Sequence, residues 1–114
     1  FSRGHNHALG TGESLGLNTK GQLIFRSGEK TYTGKTPTTR WKWHHAALVR
    51  AGDTARVYLD GQLQIESQIA TPRAVQNLYL GGSHDNQSNW EGRLDETAVF
   101  ERALTTEEVK ALSK

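Results

Sequence analysis

Residues 43–67 read WHHAALVRAGDTARVYLDGQLQIES and decide the fold. Residues 54–59 alternate apolar and polar side chains, as in a β-strand with one buried face. Asp60 and Gly61 follow, and an Asp-Gly pair between alternating segments favours a type I′ hairpin turn, because both central positions need positive φ. With a strand over 45–50 and a glycine-containing turn over 51–53, the stretch predicts three consecutive antiparallel strands.

The alternation also predicts which way the side chains of these strands point. One face is apolar and is expected to be buried: Ala55, Val57, Leu59, Leu63 and Ile65. The other face is expected to be solvated: Arg56, Tyr58, Gln62, Gln64 and Glu66. The meander is therefore predicted to have one apolar and one wet face.

Weaker patterns place the remaining elements. A hairpin is predicted over 14–26, with Leu15, Leu17, Leu23 and Phe25 facing the core and a loop at 19–21. A short edge strand is predicted at 31–33, ended by Pro37. Strands are also predicted over 76–81, with Leu78 and Leu80 inward and Tyr79 outward, and over 91–101. Glu96 lies on the apolar side of the last strand, so we expect it to accept hydrogen bonds there.

The C-terminal segment is predicted to be a short amphipathic helix within residues 103–114. Thr105 and Glu108 have the spacing of a capping box, and acidic residues fall in the first turn, where the helix dipole favours them. Leu104, Val109 and Leu112 form the apolar stripe that would pack on the sheets.

Length, charge and cysteine content limit the functions that we expect of this chain. The 114 residues suit a single domain over 1–114, and the formal charge of +2 is too small to imply a polyanion partner. The absence of cysteine excludes disulfides and thiolate chemistry. No apolar run is long enough for a membrane helix, so we expect no membrane insertion. Residue 1 is Phe rather than Met, and we expect the chain to be part of a larger protein.

The segment 39–45, TRWKWHH, interleaves basic and aromatic residues. This pattern is typical of stacking platforms for bases or sugars. The alternative is that Trp43 anchors the central strand in the core while Arg40 and Lys42 are solvated. No basic stripe occurs elsewhere, so we expect no nucleic-acid binding. For His44 and His45 we expect structural roles.

Two further histidines, His5 and His7, would share a face of an extended segment and form a possible metal pair. No third ligand is evident nearby, and a metal site needs one. We therefore expect a solvated loop at this point of the chain.

The order W-x-H-x-x-L-V, V-Y-L-D-G, L-Y-L-G-G and then W-E-G-R-L-D-E-T-A-V-F-E-R-A-L-T-T-E-E-V resembles laminin-G-like jelly-roll domains of the concanavalin A-like lectin/glucanase superfamily. The residues that match best are Trp43, His45, Tyr58, Asp60, Gly61, Gly81, Gly92, Leu94, Asp95, Glu96, Ala103, Leu104, Glu107 and Glu108. The resemblance implies an all-β, two-sheet antiparallel jelly-roll sandwich with a short C-terminal helix. It also implies one or two strands ahead of residue 1, so that the chain lacks its first strands.

The superfamily that this chain resembles includes glycoside hydrolases, whose chemistry needs two suitably spaced carboxyl groups. Asp95 and Glu96 are adjacent and diverge on a strand, and Glu91 is too far from both. The E-x-D-x-x-E arrangement of the hydrolases is absent. We therefore predict no catalytic residues and expect that the protein is not an enzyme.

The polar loop 82–90 is the predicted binding site. The resemblance to lectin-like domains implies ligand and calcium sites in rim loops, and Asp85 and Asn86 offer the oxygen ligands that calcium prefers. Tyr79, His84, Asn89 and Trp90 are the predicted ligand-binding residues. The alternative is an ordinary polar turn with Trp90 packed at its base.

These observations predict a non-catalytic binding module for carbohydrate or glycoprotein in a larger extracytoplasmic protein, with calcium as a possible cofactor. The alternative function is a structural spacer or protein-contact domain attached to an enzyme; a glycoside hydrolase is the least favoured. Carbohydrate binding predicts an exposed aromatic side chain, whereas a spacer predicts that all three tryptophans are buried.

Overall fold

The computed structural model describes residues 2–4, 12–69, 77–82 and 90–114. Within them lie eight strands and one helix: β1 Ser2–Gly4, β2 Glu13–Leu17, β3 Gln22–Ser27, β4 Lys30–Pro37, β5 Ala46–Ala51, β6 Thr54–Leu59, β7 Gln62–Gln68, β8 Asn77–Tyr79 and α1 Thr106–Leu112. The strands form a five-stranded sheet in the order β4-β3-β2-β1-β8 and a three-stranded sheet in the order β5-β6-β7. Every pairing is antiparallel. The predicted all-β, two-sheet antiparallel sandwich with a short C-terminal helix is confirmed.

The main core lies between the two sheets. Leu15, Leu23 and Phe25 of the larger sheet pack in one cluster with β6 and β7 residues of the smaller sheet. These partners on the smaller sheet are Ala55, Val57, Leu59 and Ile65, with Ile69 just beyond β7. The inward positions predicted for the hairpin 14–26 and for β6 are therefore confirmed.

The turns follow from local sequence. Asp60 and Gly61 have φ of 49° and 76°, which is the left-handed pair that a type I′ turn requires. Gly21 closes the β2–β3 turn with φ of 77°. Helix α1 has the predicted capping box, in which the Thr105 side chain accepts from the Glu108 N–H and the Glu108 side chain accepts from the Thr105 N–H.

The outer face of the smaller sheet is covered around Tyr58, which corrects the prediction for that residue, whereas Gln62 and Glu66 are exposed as predicted. Tyr58 is 2% exposed and forms a second buried cluster with Val49 and Val109. The Tyr58 hydroxyl lies 3.1 Å from the Thr106 hydroxyl. Val109 of α1 packs on Tyr58 and Val49, with Leu104 just before the helix packed against the same cluster, while Leu112 remains half exposed. No helix within the described residues is long and apolar enough to cross a membrane.

A β-bulge in β7 reverses two predicted positions. Val57 pairs with Ile65 and Tyr58 pairs with Leu63, so Gln64 is an extra residue without a partner in the register. The bulge turns Leu63 to the outer face, where it is 48% exposed, and turns Gln64 inward. Gln64 is satisfied there, because its side-chain oxygen accepts from the Thr36 N–H of β4 at 2.9 Å. The prediction of Leu63 inward and Gln64 outward was wrong.

The predicted strand over 91–101 is also absent. Residues 90–105 contain no strand, and Leu94, Val99 and Phe100 are about half exposed or more. Glu96 is exposed and has φ of 50°, a turn conformation that breaks the alternation, so it is not an acceptor on an apolar face. Leu78 and Leu80 are likewise exposed rather than inward.

Candidate functional site

Residues 38–45, hereafter the tryptophan loop, connect the two sheets from β4 to β5. At its start, the N–H and the hydroxyl of Thr38 both donate to the carbonyl of Gly21, at 2.8 and 2.9 Å. At its end, the His45 carbonyl accepts from the Asp60 N–H at 2.8 Å. The loop is therefore fastened to the β2–β3 turn at one end and to the β6–β7 turn at the other.

His44 spans the base of this loop. Its Nδ1 lies 2.8 Å from the Asp60 carboxylate, and its Nε2 accepts from the Thr39 N–H at 2.9 Å. The other Asp60 oxygen accepts from the His45 N–H at 2.9 Å. The Nδ1 contact fits a ring in which Nδ1 carries a proton and donates to the Asp60 carboxylate, while Nε2 lies against the backbone of Thr39.

The His44 and His45 contacts alter the ionisation of Asp60. Partial burial alone would raise the pKa of Asp60, but the hydrogen bonds from His44 and from the His45 N–H favour the carboxylate. The net effect is that the pKa of Asp60 lies below its ordinary value. Asp60 is therefore ionised at neutral pH and holds the base of the loop as a charged acceptor.

The loop presents its aromatic and basic side chains to solvent. Trp41 is 100% exposed and Trp43 is 66% exposed, with Arg40 and Lys42 also exposed. Residues 40–42 form a turn rather than a strand, and Trp41 has φ of 67°. Trp43 thus does not anchor the central strand in the core, and that alternative is wrong. Positive φ in a bulky residue is an outlier that costs about 1–3 kcal/mol.

Trp90 lies at the base of the predicted binding loop. Its N–H donates to the Gly81 carbonyl at 2.8 Å. The indole covers Gly92, where a Cβ atom would lie 2.9 Å from the Trp90 Nε1. Trp90 is nevertheless 38% exposed, and Tyr79 is half-buried on β8. A ligand can therefore contact part of the Trp90 side chain and part of the Tyr79 side chain.

Several predicted site residues lie outside the described residues: His84, Asp85, Asn86 and Asn89, and the possible metal pair His5 and His7. Their predicted roles stay predictions, including calcium binding by Asp85 and Asn86. Across 2–4, 12–69, 77–82 and 90–114, no group of three or more His, Asp or Glu side chains is placed to hold a metal ion.

A groove of about 400 Å³ runs between β4 and β7. Its walls include Tyr32, Lys35, Leu63 and Glu66. The Tyr32 ring stacks on Phe25 with centroids 6.3 Å apart, and Glu66 is paired with Arg56. The groove has fewer free recognition groups than the tryptophan loop, and we regard it as the weaker candidate.

The pairing of His44 with Asp60 was missed in the sequence, where Asp60 was interpreted only as a turn residue. A signal was present. Extending the β5–β6 register beyond the pair Ala46 and Leu59 brings His45 opposite Asp60. An acidic residue at that position can then accept from the backbone and from the neighbouring histidine.

Comparison with known proteins places this architecture. The laminin G family model described as the concanavalin A-like lectin/glucanases superfamily matches residues 2–110. No curated protein matches the chain in sequence. The crystal structure of an S-layer domain-containing protein from Clostridium thermocellum is similar, with a TM-score of 0.64 and 26% identity. The match covers 100% of this chain and 61% of that structure, so the chain spans less than two thirds of its solved relative. The chain therefore belongs to the concanavalin A-like lectin/glucanases superfamily.

Proposed function

We propose that this protein is a non-catalytic carbohydrate-binding module of a larger extracytoplasmic protein. The observation that carries the proposal is the exposure of Trp41, Trp43 and Trp90. Tryptophan has a large apolar surface that folding normally buries, so three exposed indoles in 114 residues favour a binding role over a spacer. The superfamily, whose description names lectins and glucanases, supports a sugar ligand.

The absence of catalysis is part of the proposal. The sequence lacks the paired-carboxylate motif of the glucanases, and Asp95 uses its side chain to accept from the Glu96 N–H at 2.8 Å. Glu96 itself is exposed in a turn. Incubation with β-glucans should yield no product, and turnover abolished by replacing a single carboxylate would contradict this part.

The extracytoplasmic location rests on analogy. The similar crystal structure belongs to an S-layer domain-containing protein. The chain aligns with 61% of that structure, which fits one module among others. Localising the parent protein by cell fractionation would test this part, and recovery in the cytosol would contradict it.

A glycan array with wild-type protein, in the presence and absence of calcium, tests the proposal. We expect binding to at least one glycan class, weakened by Trp41→Ala or Trp90→Ala. Asp85→Ala should abolish any calcium dependence of binding, because Asp85 is the proposed calcium ligand. A folded protein that binds no glycan under either condition would favour the spacer function instead.

A further inference from the structure

We propose that the tryptophan loop is a binding site for acidic polysaccharides, in which Trp41 and Trp43 contact sugar rings while Arg40 and Lys42 pair with carboxylates of the ligand. This inference rests on the proposed carbohydrate-binding function and names the ligand class and the site. The ligand is a chain of pyranose rings that carry carboxylates, as in a polyuronate.

The first argument is the apolar surface of the loop. Trp41 and Trp43 are two residues apart and are 100% and 66% exposed. They remain exposed even though hydrogen bonds fasten the loop to both neighbouring turns. Exposed indoles with an apolar face and a polar N–H are typical of contact surfaces rather than of solvated loops. The left-handed conformation of Trp41 is a strained conformation that the fold maintains, and such strain concentrates at functional sites.

The second argument is charge. Arg40 and Lys42 alternate with the two tryptophans, and within the described residues neither cation is paired with an acid. The planar guanidinium of arginine matches a carboxylate with two parallel hydrogen bonds. A ligand with one carboxylate on each ring would present charges next to the rings that the indoles contact.

The surroundings of the loop add to the positive charge. Lys20 lies in the β2–β3 turn, whose Gly21 holds Thr38. Lys110 packs near Gly61 in the β6–β7 turn, which adjoins the base of the loop. Asp60 is the acid at this base, and both of its oxygens are occupied by His44 and the His45 N–H. The loop therefore presents cations to a ligand, while the Asp60 carboxylate at its base is hydrogen-bonded to His44 and to the His45 N–H.

The third argument is preorganisation. The hydrogen bonds of Thr38, His44 and His45 hold the loop before any ligand arrives. A preformed site loses less conformational entropy on binding than a flexible loop would. A sugar polymer is favoured over nucleic acid as the anionic ligand because the description of the matching family names lectins and glucanases.

Calorimetric titration with polygalacturonate and with its fully methyl-esterified form tests the inference, since the two polymers share their rings and differ in charge. Wild-type protein should bind polygalacturonate at least about tenfold more tightly, a difference of about 1.4 kcal/mol. Added salt should weaken binding of the acid form selectively. Trp41→Ala should reduce affinity for the acid form by about tenfold or more.

The double variant Arg40→Gln/Lys42→Gln should remove the preference, so that the acid form and the ester bind with equal affinity. The matched control is Arg26→Gln/Lys30→Gln, which removes the same charge from exposed positions on β3 and β4 and should bind like wild type. Thermal unfolding checks that each variant is folded.

The outcomes separate the inference from the proposed function. Equal affinity for acid and ester, or glycan binding lost in Trp90→Ala but kept in Trp41→Ala, would overturn the acidic site and leave carbohydrate binding intact. Tighter Trp41-dependent binding of oligothymidylate or of phosphatidylglycerol vesicles would overturn it in favour of another partner. Absence of glycan binding by the folded wild type would overturn both.

Discussion

The imidazole Nδ1 of His44 lies 2.8 Å from the Asp60 carboxylate and joins the tryptophan loop to the β6–β7 hairpin turn. The Asp60 residue therefore has two structural roles. Asp60 supplies the left-handed turn residue of the hairpin, and its carboxylate fixes the loop that carries Trp41 and Trp43. The proposed binding surface is therefore fastened to the most regular part of the fold.

The first prediction concerns the titration of Asp60. Its folded pKa lies below the ordinary value, so its contribution to stability is present above the unfolded pKa of about 3.9 and is lost as pH falls through the folded pKa. His44→Ala should raise the pKa of Asp60 and leave the hydrogen bond from the His45 N–H. Carboxyl NMR titration of both proteins measures this, and identical Asp60 titration curves would contradict the role of His44.

The second prediction concerns acid stability of the C-terminal helix. Hydrogen bonds from Arg102 and from the Thr105 N–H lower the pKa of Glu108 from 4.5 to about 2. The stabilisation is therefore complete above pH 4.5 and is lost as pH falls towards about 2. Glu108→Gln should flatten the decline of the unfolding free energy across this window, as measured by urea unfolding at several pH values.

The control for that experiment is Glu107→Gln, which makes the same charge change in the same helical turn without removing the contacts of Glu108 to Arg102 and Thr105. If both variants show the same pH profile, the capping box does not stabilise the helix in the proposed way.

The third prediction separates the cost of backbone strain from the cost of a steric clash at two glycine turns. Gly61→Ala places a Cβ in a residue with φ of 76°, 2.7 Å from the Ser113 hydroxyl and 3.2 Å from the Lys110 Cα. Gly52→Ala meets the same backbone strain at φ of 55° but has nothing within 4 Å. Gly52→Ala should cost about 1 kcal/mol and Gly61→Ala about 2–3 kcal/mol in unfolding free energy. Equal losses would show that the hairpin turn does not pack against the helix end.

The fourth prediction concerns strain at Trp41. Glycine adopts positive φ without steric cost, so Trp41→Gly should stabilise the fold by about 1 kcal/mol while it weakens binding of polygalacturonate as Trp41→Ala does. Trp43 has no positive φ, and Trp43→Gly should give no such gain. Thermal unfolding of both variants is the measurement. A destabilised Trp41→Gly protein would mean that the Trp41 indole supports the fold.

The regular part of the fold follows from the sequence because alternation and turn chemistry agree there. Residues 54–59 alternate cleanly, and Asp60 with Gly61 permits one turn type, so strand, turn and register are specified together. The capping box of Thr105 and Glu108 is similarly local. Strand β6, the Asp60–Gly61 turn and the helix cap, where several local signals agree, were predicted correctly.

The errors arise where tertiary contacts override local pattern. A bulge at Gln64 shifts the faces of β7 by one residue, and alternation alone does not reveal an inserted residue. Alternation places Tyr58 on the solvent side, but the structure buries it under helix α1, which starts almost fifty residues later in the chain. The segment 91–101 has a strand pattern, but the positive φ of Glu96 interrupts it.

The candidate site was predicted only in part. The interleaved pattern of residues 39–45 indicated a stacking surface, but the choice between exposure and burial of Trp43 depends on the turn at 40–42 and on the clamp by His44. Trp90 was predicted as a ligand-binding residue, and it is partly exposed beside Gly92. The polar residues proposed with it, among them Asp85 and Asn89, remain predictions.

Quenching of tryptophan fluorescence by acrylamide, with and without saturating polygalacturonate, tests the central claim most directly. The measurement uses the wild type and the variants Trp41→Phe, Trp43→Phe and Trp90→Phe. We predict strong quenching in the free protein, dominated by Trp41 and Trp43, and marked protection of these two indoles by the ligand. Weak quenching in the free protein, or a bound ligand that leaves Trp41 and Trp43 as accessible as before, would contradict the claim that the exposed tryptophans form the binding surface.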